Sequence, residues 1–201
     1  MSRGAIIALS VLAVVILIGL GVVGWGFGVY NKLVSNDENV KQSWGEVENQ
    51  YQRRYDLIPN LVATVKGYAT HEESVFENVA EARSSVGKLT VTPEVLNDPQ
   101  SFKRFQQAQD ALSSALSRLL AVSENYPNLK ADQNFLSLQA QLEGTENRIA
   151  VGRQRFNLSV QTYNTLVRRV PSAIIASFSG FHERPYFESA QGANVAPKVQ
   201  F

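Results

Sequence analysis

Hydrophobic residues follow one pattern near the N terminus and another in the rest of the chain. No charged residue lies between Arg3 and Lys32, and fifteen Leu, Ile, Val or Phe residues lie between Ala5 and Tyr30. This stretch is longer than the roughly 20 residues that a helix needs to cross a bilayer. It therefore predicts a transmembrane anchor over residues 1–30. The alternative, a cleaved signal peptide, is disfavoured because the apolar stretch is too long and no small-residue cleavage site follows it.

Glycine and aromatic residues mark the second half of this anchor. Gly24 and Gly28 form a GxxxG pair, which lets two helices approach closely in lipid and predicts self-association. The general frequency of glycine in membrane helices explains the pair equally well. Trp25 and Tyr30 are expected at the headgroup level as interfacial anchors. One basic residue precedes the anchor and Lys32 and Lys41 follow it, so the charges leave open which side of the membrane the rest of the chain occupies.

From Val40 onwards, apolar residues recur at alternating intervals of three and four, the spacing of one buried helix face. The spacing keeps its phase to Val86 and crosses Pro59, so we predict one long first helix that is kinked at Pro59. The alternative is a second helix that begins at Asp56 and has Pro59 in its first turn. The same spacing predicts two further long helices, over residues 105–122 and 135–170.

Short connectors that contain proline separate these helices, and short connectors make neighbouring helices antiparallel. We therefore predict an all-α fold: the N-terminal transmembrane helix continues into an elongated antiparallel helical bundle. The bundle has a long kinked first helix plus two further long helices, or four helices if Pro59 is a turn. It is assigned to residues 31–187.

The remaining residues, 188–201, are rich in Ser, Gln, Gly and Asn and predict a mobile C-terminal tail. The tail contains Val199 and Phe201, alternate apolar residues beside a carboxylate, a form that strand-addition domains bind. It is a candidate docking segment, and docking on its own bundle or disorder are the alternatives.

Composition narrows the possible chemistry. The chain has 19 basic and 18 acidic residues and a net charge of +1, so it shows no excess of positive charge that would indicate a nucleic-acid partner. It has no cysteine and only two histidines, which excludes thiolate nucleophiles and thiolate metal sites. His71 and Glu72 begin a sequence that lacks the second histidine of a zinc-protease motif, because position 75 is Val. No catalytic residue, metal site or cofactor is predicted.

Polar residues beside the apolar positions indicate structural contacts. Arg53, Arg54 and Asp56 precede Pro59. A second set of polar residues, a series with spacings of seven, lies along the last long helix. Such side chains are costly to bury without partners, so we expect them to pair across helices, for instance Arg53 or Arg54 with Glu146. The members of the series are Glu146, Arg153, Asn157 and Asn164.

Two motifs resemble those of the bacterial LemA family, and the likeness extends from the anchor to Phe187. The residues that carry it include Trp44, Arg53, Arg54, Asp56, Pro59, Asn60, His71 and Glu72 in the first motif, and Tyr126, Pro127, Glu146, Arg153, Asn157, Tyr163 and Asn164 in the second. The resemblance implies a single-pass protein of the bacterial cytoplasmic (inner) membrane, with an elongated helical domain and no established enzymatic activity. It also implies a possible partner, a membrane metallopeptidase or a TPM-domain protein, because such proteins are often encoded near family members.

The sequence therefore favours a non-enzymatic membrane protein that forms homo-oligomers in the lipid bilayer and serves as a scaffold of the bacterial envelope. The alternative is an adaptor for a membrane protease or for an envelope stress or quality-control partner, with docking through the bundle or the tail. An enzyme with a histidine–carboxylate site around His71 is the least favoured hypothesis.

Overall fold

The computed structural model describes residues 3–89 and 93–188. Within these two ranges the regular secondary structure is entirely helical, which confirms the predicted all-α fold. The helices are α1 (Arg3–Lys66), α2 (Glu73–Gly87), α3 (Pro99–Ser123), α4 (Pro127–Lys130), α5 (Gln133–Arg168) and α6 (Ser172–Phe178), with a short 3-10 helix (Pro93–Asn97) between α2 and α3.

Helix α1 is 64 residues long and runs without a break through Pro59. At 1.5 Å per residue it measures roughly 95 Å. The alternative in which a second helix begins at Asp56 is therefore wrong. The apolar side chains from Leu9 to Phe27 are exposed, and burial begins at Val29 and Leu33. Among the described helices, this is the one long and apolar enough to cross a membrane.

The first long helix does not extend to Val86, as the unbroken apolar spacing predicted. It ends at Lys66, where the N–H groups of Gly67 and Ala69 donate to the carbonyl oxygens of Ala63 and Val65 at 3.2 and 2.9 Å. These bonds satisfy carbonyls that a helix end leaves without partners. The chain then reverses, and α2 runs back along α1 until Gly87 lies beside Tyr55.

Helices α1, α2, α3 and α5 form the bundle. Taken in this order, each helix runs antiparallel to the one before it. One end of the bundle, here called the proximal end, adjoins the apolar half of α1; the other, the distal end, contains Lys66. The distal core is mainly aliphatic, with side chains such as Ile58, Val79 and Leu112. The core nearer the proximal end is aromatic and is centred on Trp44, which is 1% exposed.

After α5 the chain turns back towards the bundle. Helix α6 packs Ala176 against α1 beside Val29 and Leu33. Residues 181–188, which have no regular secondary structure, then run back along the bundle and are called the strap. The strap inserts Phe187 into the aromatic core, where its ring lies 4.8 Å from that of Phe102 and 5.3 Å from that of Phe156, measured between centroids.

Helices α1 and α5 approach each other closely at Gly152. A Cβ atom there would lie 3.0 Å from Val47 Cγ2 and 3.7 Å from Val47 Cα, whereas a Cβ at Gly144, on the same helix, would meet nothing within 4 Å. Val47 is fully buried, and its β-branched side chain has little freedom to move. Glycine at 152 is therefore required by the close approach of the two helices.

Replacing Gly152 with Ala should lower the free energy of unfolding by about 1 kcal/mol, because overpacking of about 1–3 kcal/mol outweighs the gain in helix propensity of roughly 1 kcal/mol. The matched control, Gly144→Ala, should instead raise it by about 0.5–1 kcal/mol. Denaturant unfolding in detergent, followed by circular dichroism, measures both. Equal effects of the two substitutions would contradict the close approach.

Candidate functional site

The polar series on α5 is the most developed polar feature of the bundle. Glu146, Arg153, Asn157 and Asn164 lie along the face of α5 that meets α1, α3 and the strap. We call these four residues the polar stripe. Its spacings of seven and four return to one face of a helix. The stripe therefore aligns α5 with α1, α3 and the strap.

Arg54 forms the distal contact of the stripe. Its side chain is completely buried, and its Nη1 donates to Glu146 Oε1 at 2.9 Å and to the Ser113 hydroxyl. Its Nη2 donates to the backbone carbonyl of Gln109 at 3.2 Å and to the side-chain oxygen of the same residue. The expected pairing of Glu146 is thus confirmed for Arg54, whereas Arg53 is exposed. The guanidinium group provides enough donors to serve α3 and α5 together.

Arg153 forms the next contact. Its Nε donates to the Tyr51 hydroxyl at 2.6 Å, and its Nη2 donates to Asp110 Oδ1 at 2.8 Å. Burial raises the pKa of Tyr51, so the hydroxyl stays neutral and accepts this hydrogen bond without becoming an anion. The guanidinium also lies 5.0 Å from the ring centroid of Phe187. Arg153 thereby joins α1, α3, α5 and the strap.

Three side-chain amides bind the strap. Asn157 donates to the carbonyl of Phe187 at 3.0 Å and accepts from its N–H at 2.9 Å. Asn164 and Arg184 exchange the same two bonds, both at 2.9 Å. Gln106 of α3 and Glu188 do so at 2.7 and 3.1 Å. Each amide satisfies both backbone groups of one strap residue, as a neighbouring β-strand would.

An ion pair fixes the proximal end of the strap. Arg184 Nη2 donates to Asp37 Oδ1 at 2.7 Å, and Lys41 Nζ lies 3.0 Å from Asp37 Oδ2. Burial by itself would raise the pKa of Asp37, but the hydrogen bonds and charges of Arg184 and Lys41 together lower it below its usual value. Asp37 is therefore ionised at neutral pH, where it ties the strap to α1.

Two tyrosine–carboxylate hydrogen bonds close the distal end. Tyr126 donates to Glu72 Oε1 at 3.0 Å, and Tyr68 donates to Asp132 Oδ2 at 3.0 Å. Pro127 begins the short helix α4 between these two contacts. Both bonds join the α1–α2 turn to the segment that leads into α5. The motif residues Glu72, Tyr126 and Pro127 thus share one end of the molecule.

The histidines lie at opposite ends. His71 is exposed in the distal α1–α2 turn, and His182 is exposed in the strap near its proximal end. Within residues 3–89 and 93–188, no three His, Cys, Asp or Glu side chains are grouped so that they could hold a metal ion. The two histidines are therefore too far apart to contribute to one site.

The other predicted residues are dispersed. Trp44 and Tyr163 are buried core residues, Asp56, Pro59 and Asn60 lie on α1 away from the polar stripe, and Trp25 and Tyr30 are 44% and 43% exposed. A Cβ at Gly24 or Gly28 would meet nothing within 4 Å. Val199 and Phe201, with the rest of the predicted tail from residue 189, lie outside the described residues.

Sequence reasoning missed the α3 partners of this site, Gln106 and Gln109. Counting back from Leu112 by three and four reaches Gln109 and then Phe105, so Gln109 occupies a core position. A glutamine at a core position is the available signal, because a buried amide requires a hydrogen-bond partner. Ala108 fits the alternating spacing as well as Gln109 does, so the apolar pattern can be followed along α3 without Gln109.

Glu146→Gln should lower the free energy of unfolding by about 1–3 kcal/mol, because it leaves the buried Arg54 guanidinium without its countercharge, while the Glu146 side chain is itself 37% exposed. Adding Arg54→Met in the same chain should recover part of this loss, since a buried ion pair can be replaced by apolar groups at little cost. Urea unfolding of the two single variants and the double variant measures the coupling. A loss below about 1 kcal/mol for Glu146→Gln would show that the ion pair is not structural.

Acidification should weaken the attachment of the strap at Asp37. The folded-state pKa of this carboxyl is lowered, so its contribution is present above its unfolded pKa of about 3.9 and is lost as the pH falls through the folded value. At pH 7, Asp37→Asn should cost roughly 1.5 kcal/mol. The difference in unfolding free energy between wild type and variant should shrink as the pH falls below about 4. A difference that does not change with pH would contradict the ion pair.

Comparison with known proteins finds bacterial relatives that match most of the chain. The magnetosome protein MamQ of Magnetospirillum gryphiswaldense is 28% identical over 189 residues, which cover 85% of this chain and 70% of the relative. Magnetosome protein MamQ 2 of Paramagnetospirillum magneticum is 27% identical, with 92% and 72% covered. Protein LemA of Metamycoplasma hominis is 19% identical, with 70% and 60% covered. None of these names indicates catalysis. Because the sequence model of the LemA family matches residues 43–201, the chain belongs to the LemA family.

Proposed function

We propose that this protein is a non-enzymatic, single-pass scaffold of the bacterial cytoplasmic membrane that associates with itself through its membrane helix. The observation that carries the proposal is the continuity of α1, which passes from an apolar segment that is exposed on all sides into the core of the bundle. A rigid bundle on a membrane helix can present its faces at a fixed height above the lipid.

The composition of the first half of α1 supports the membrane part of the proposal. Side chains such as Leu17, Leu20 and Phe27 are 68%, 64% and 66% exposed, and the described part of the chain does not cover them. Transfer of this many apolar groups to hydrocarbon is strongly favourable on the insertion scale. The helical backbone satisfies its own hydrogen bonds there, as a spanning segment must.

The composition of the bundle interior supports a structural role. The buried charged and amide side chains that we describe are engaged with other protein groups: Arg54 with α3 and α5, Arg153 with Tyr51 and Asp110, and Asn157 and Asn164 with the strap. Such groups specify the register of the packing. The names of the relatives agree with a protein that is not defined by a catalytic activity.

The glycines of the anchor support self-association. Gly24 and Gly28 lie four residues apart on one face of α1, and a Cβ atom added at either would meet nothing within 4 Å. Helix α6 contacts α1 at Gly26, where Ile175 Cδ1 would lie 3.8 Å from such a Cβ. Gly26 is two residues from each of Gly24 and Gly28, which corresponds to about 200° of rotation around the helix. Helix α6 therefore lies on the opposite side of α1 and leaves the face of Gly24 and Gly28 open. Confinement to a membrane raises the effective concentration of the subunits, so that a modest contact suffices.

Replacing Gly24 and Gly28 together with Leu should abolish most cross-linking between copies in native membranes, because the larger side chains separate the helix backbones. Gly19→Leu is the matched control: it adds the same side chain to the same segment on another face, where nothing lies within 4 Å either. Cross-linking should persist in this control. If the double variant cross-links as well as wild type, this face is not the contact between copies, and a protein that remains monomeric throughout would overturn the scaffold proposal.

A further inference from the structure

Helix α6 and the residues before it expose a row of large apolar side chains at the proximal end. Val170, Ile174 and Phe178 are 76%, 54% and 89% exposed; Ile174 and Phe178 lie about one turn apart on one side of α6, and Val170 precedes the helix. We call these three residues the proximal patch. The opposite side of α6 is buried, since Ala176 is 1% and Ser172 is 6% exposed. Helix α6 is therefore amphipathic, with one face on the protein and the other uncovered.

Contacts with α1 set the height of α6. Ile175 lies against Gly26, Ala176 packs with Val29 and Leu33, and the ring of Phe181, at the start of the strap, meets that of Tyr30 edge-on at 5.8 Å. The strap then continues from Phe181 into the aromatic core. Helix α6 is consequently attached to a defined stretch of α1, from Gly26 to Leu33.

This stretch coincides with the expected boundary of the membrane. A hydrocarbon core of about 30 Å accommodates about 20 residues of helix at 1.5 Å each. Counted from Ala5, twenty residues end at Gly24, and Gly26 and Val29 then lie roughly 3 and 8 Å further along the axis. The headgroup layer is about 5–7 Å thick on each side. The seat of α6 on α1 thus begins within that layer at Gly26, extends past it towards Leu33, and is continuous with the lipid-facing surface of α1.

Charges near the patch fit the same position. Lys32, Arg168 and Arg169 are exposed at the proximal end, and Arg168 Nε lies 3.7 Å from Glu183, a surface contact of little strength. Basic side chains beside a row of apolar ones are the usual composition of a helix that lies in a membrane interface.

We propose that the proximal patch inserts into the headgroup–acyl boundary of the same bilayer that α1 crosses, so that α6 is a second, interfacial membrane contact. The inference rests on the proposed membrane span of α1. Insertion removes Val170, Ile174 and Phe178 from water and places Lys32, Arg168 and Arg169 among the lipid phosphates. The bilayer contacts the protein on two elements, and rotation of the bundle about α1 is restricted.

Single nitroxide labels on the full chain test this proposal, since the natural sequence contains no cysteine. Ile174→Cys and Phe178→Cys probe the patch, Val22→Cys probes the membrane span, and Leu136→Cys, 43% exposed at the distal end, is the aqueous control. All four positions are exposed, so the label should not disturb folding. The proteins are reconstituted in vesicles of phosphatidylcholine and phosphatidylglycerol, and power saturation compares accessibility to oxygen with accessibility to a water-soluble nickel chelate.

Labels at 174 and 178 should be more accessible to oxygen than to nickel, with depths between those of positions 22 and 136. Values at 174 and 178 that match position 136 would overturn the interfacial contact while position 22 still reports lipid. Low accessibility to both reagents would also overturn it, because another part of the protein would then cover the patch. Spin–spin broadening would identify this cover as a second copy, and recovery of accessibility after removal of residues 189–201 would identify it as the tail. If position 22 itself is accessible to nickel, the proposed span fails, which separates that failure from the failure of the patch.

Discussion

The architecture depends on the requirement that one helix satisfy two environments in succession. In lipid, every backbone N–H and C=O must be bonded within the segment, which favours an uninterrupted helix. In the bundle, one face must be apolar and the others polar. Helix α1 meets both conditions, because its side chains from Leu9 to Phe27 are exposed and those on one face are buried from Leu33, Val40 and Trp44 onwards. With no flexible linker between the two parts, each element that packs on α1 acquires a fixed distance from the apolar segment.

Polar side chains then determine how the other helices align with α1. Apolar packing is not directional, so the aromatic and aliphatic core alone leaves α5 more freedom to shift along α1 than hydrogen bonds do. Arg54 and Arg153 remove that freedom, since each has partners on more than one helix and a shift would leave a buried guanidinium unpaired. Gly152 removes it independently, because a larger residue at the point of contact would strike Val47.

The sequence predicted the fold class and most of the core, because helical periodicity is a local property that can be read along the chain. Trp44, Leu112 and Phe156 all follow from it. The break between α1 and α2 was missed for a physical reason: Val65 and Val79 enter the same core from antiparallel helices, and the intervening turn preserves the phase. Gly67 is a local signal of the helix end at Lys66, but the continued spacing obscures it. The site was predicted only in part. The pairing of Arg54 with Glu146 could be predicted because both residues interrupt or flank an apolar face, and burial requires a partner for each. The role of Asn157 could not be predicted, because its hydrogen-bond partners are backbone groups of the strap, and every residue type has the same backbone groups.

The strap shows where this fold ends. Periodic spacing stops at Pro171, and a domain boundary drawn there would exclude Phe187. Phe187 is nevertheless part of the core: it is only 7% exposed, and its ring stacks on that of Trp44 at 6.1 Å between centroids. Without Phe187, the rings of Trp44, Phe102 and Phe156 would border a void, and such voids destabilise a core in proportion to their volume. Asn157 would also lose the backbone groups that satisfy it. The core closes only when a segment without helical periodicity returns to it, so the folded unit includes the strap.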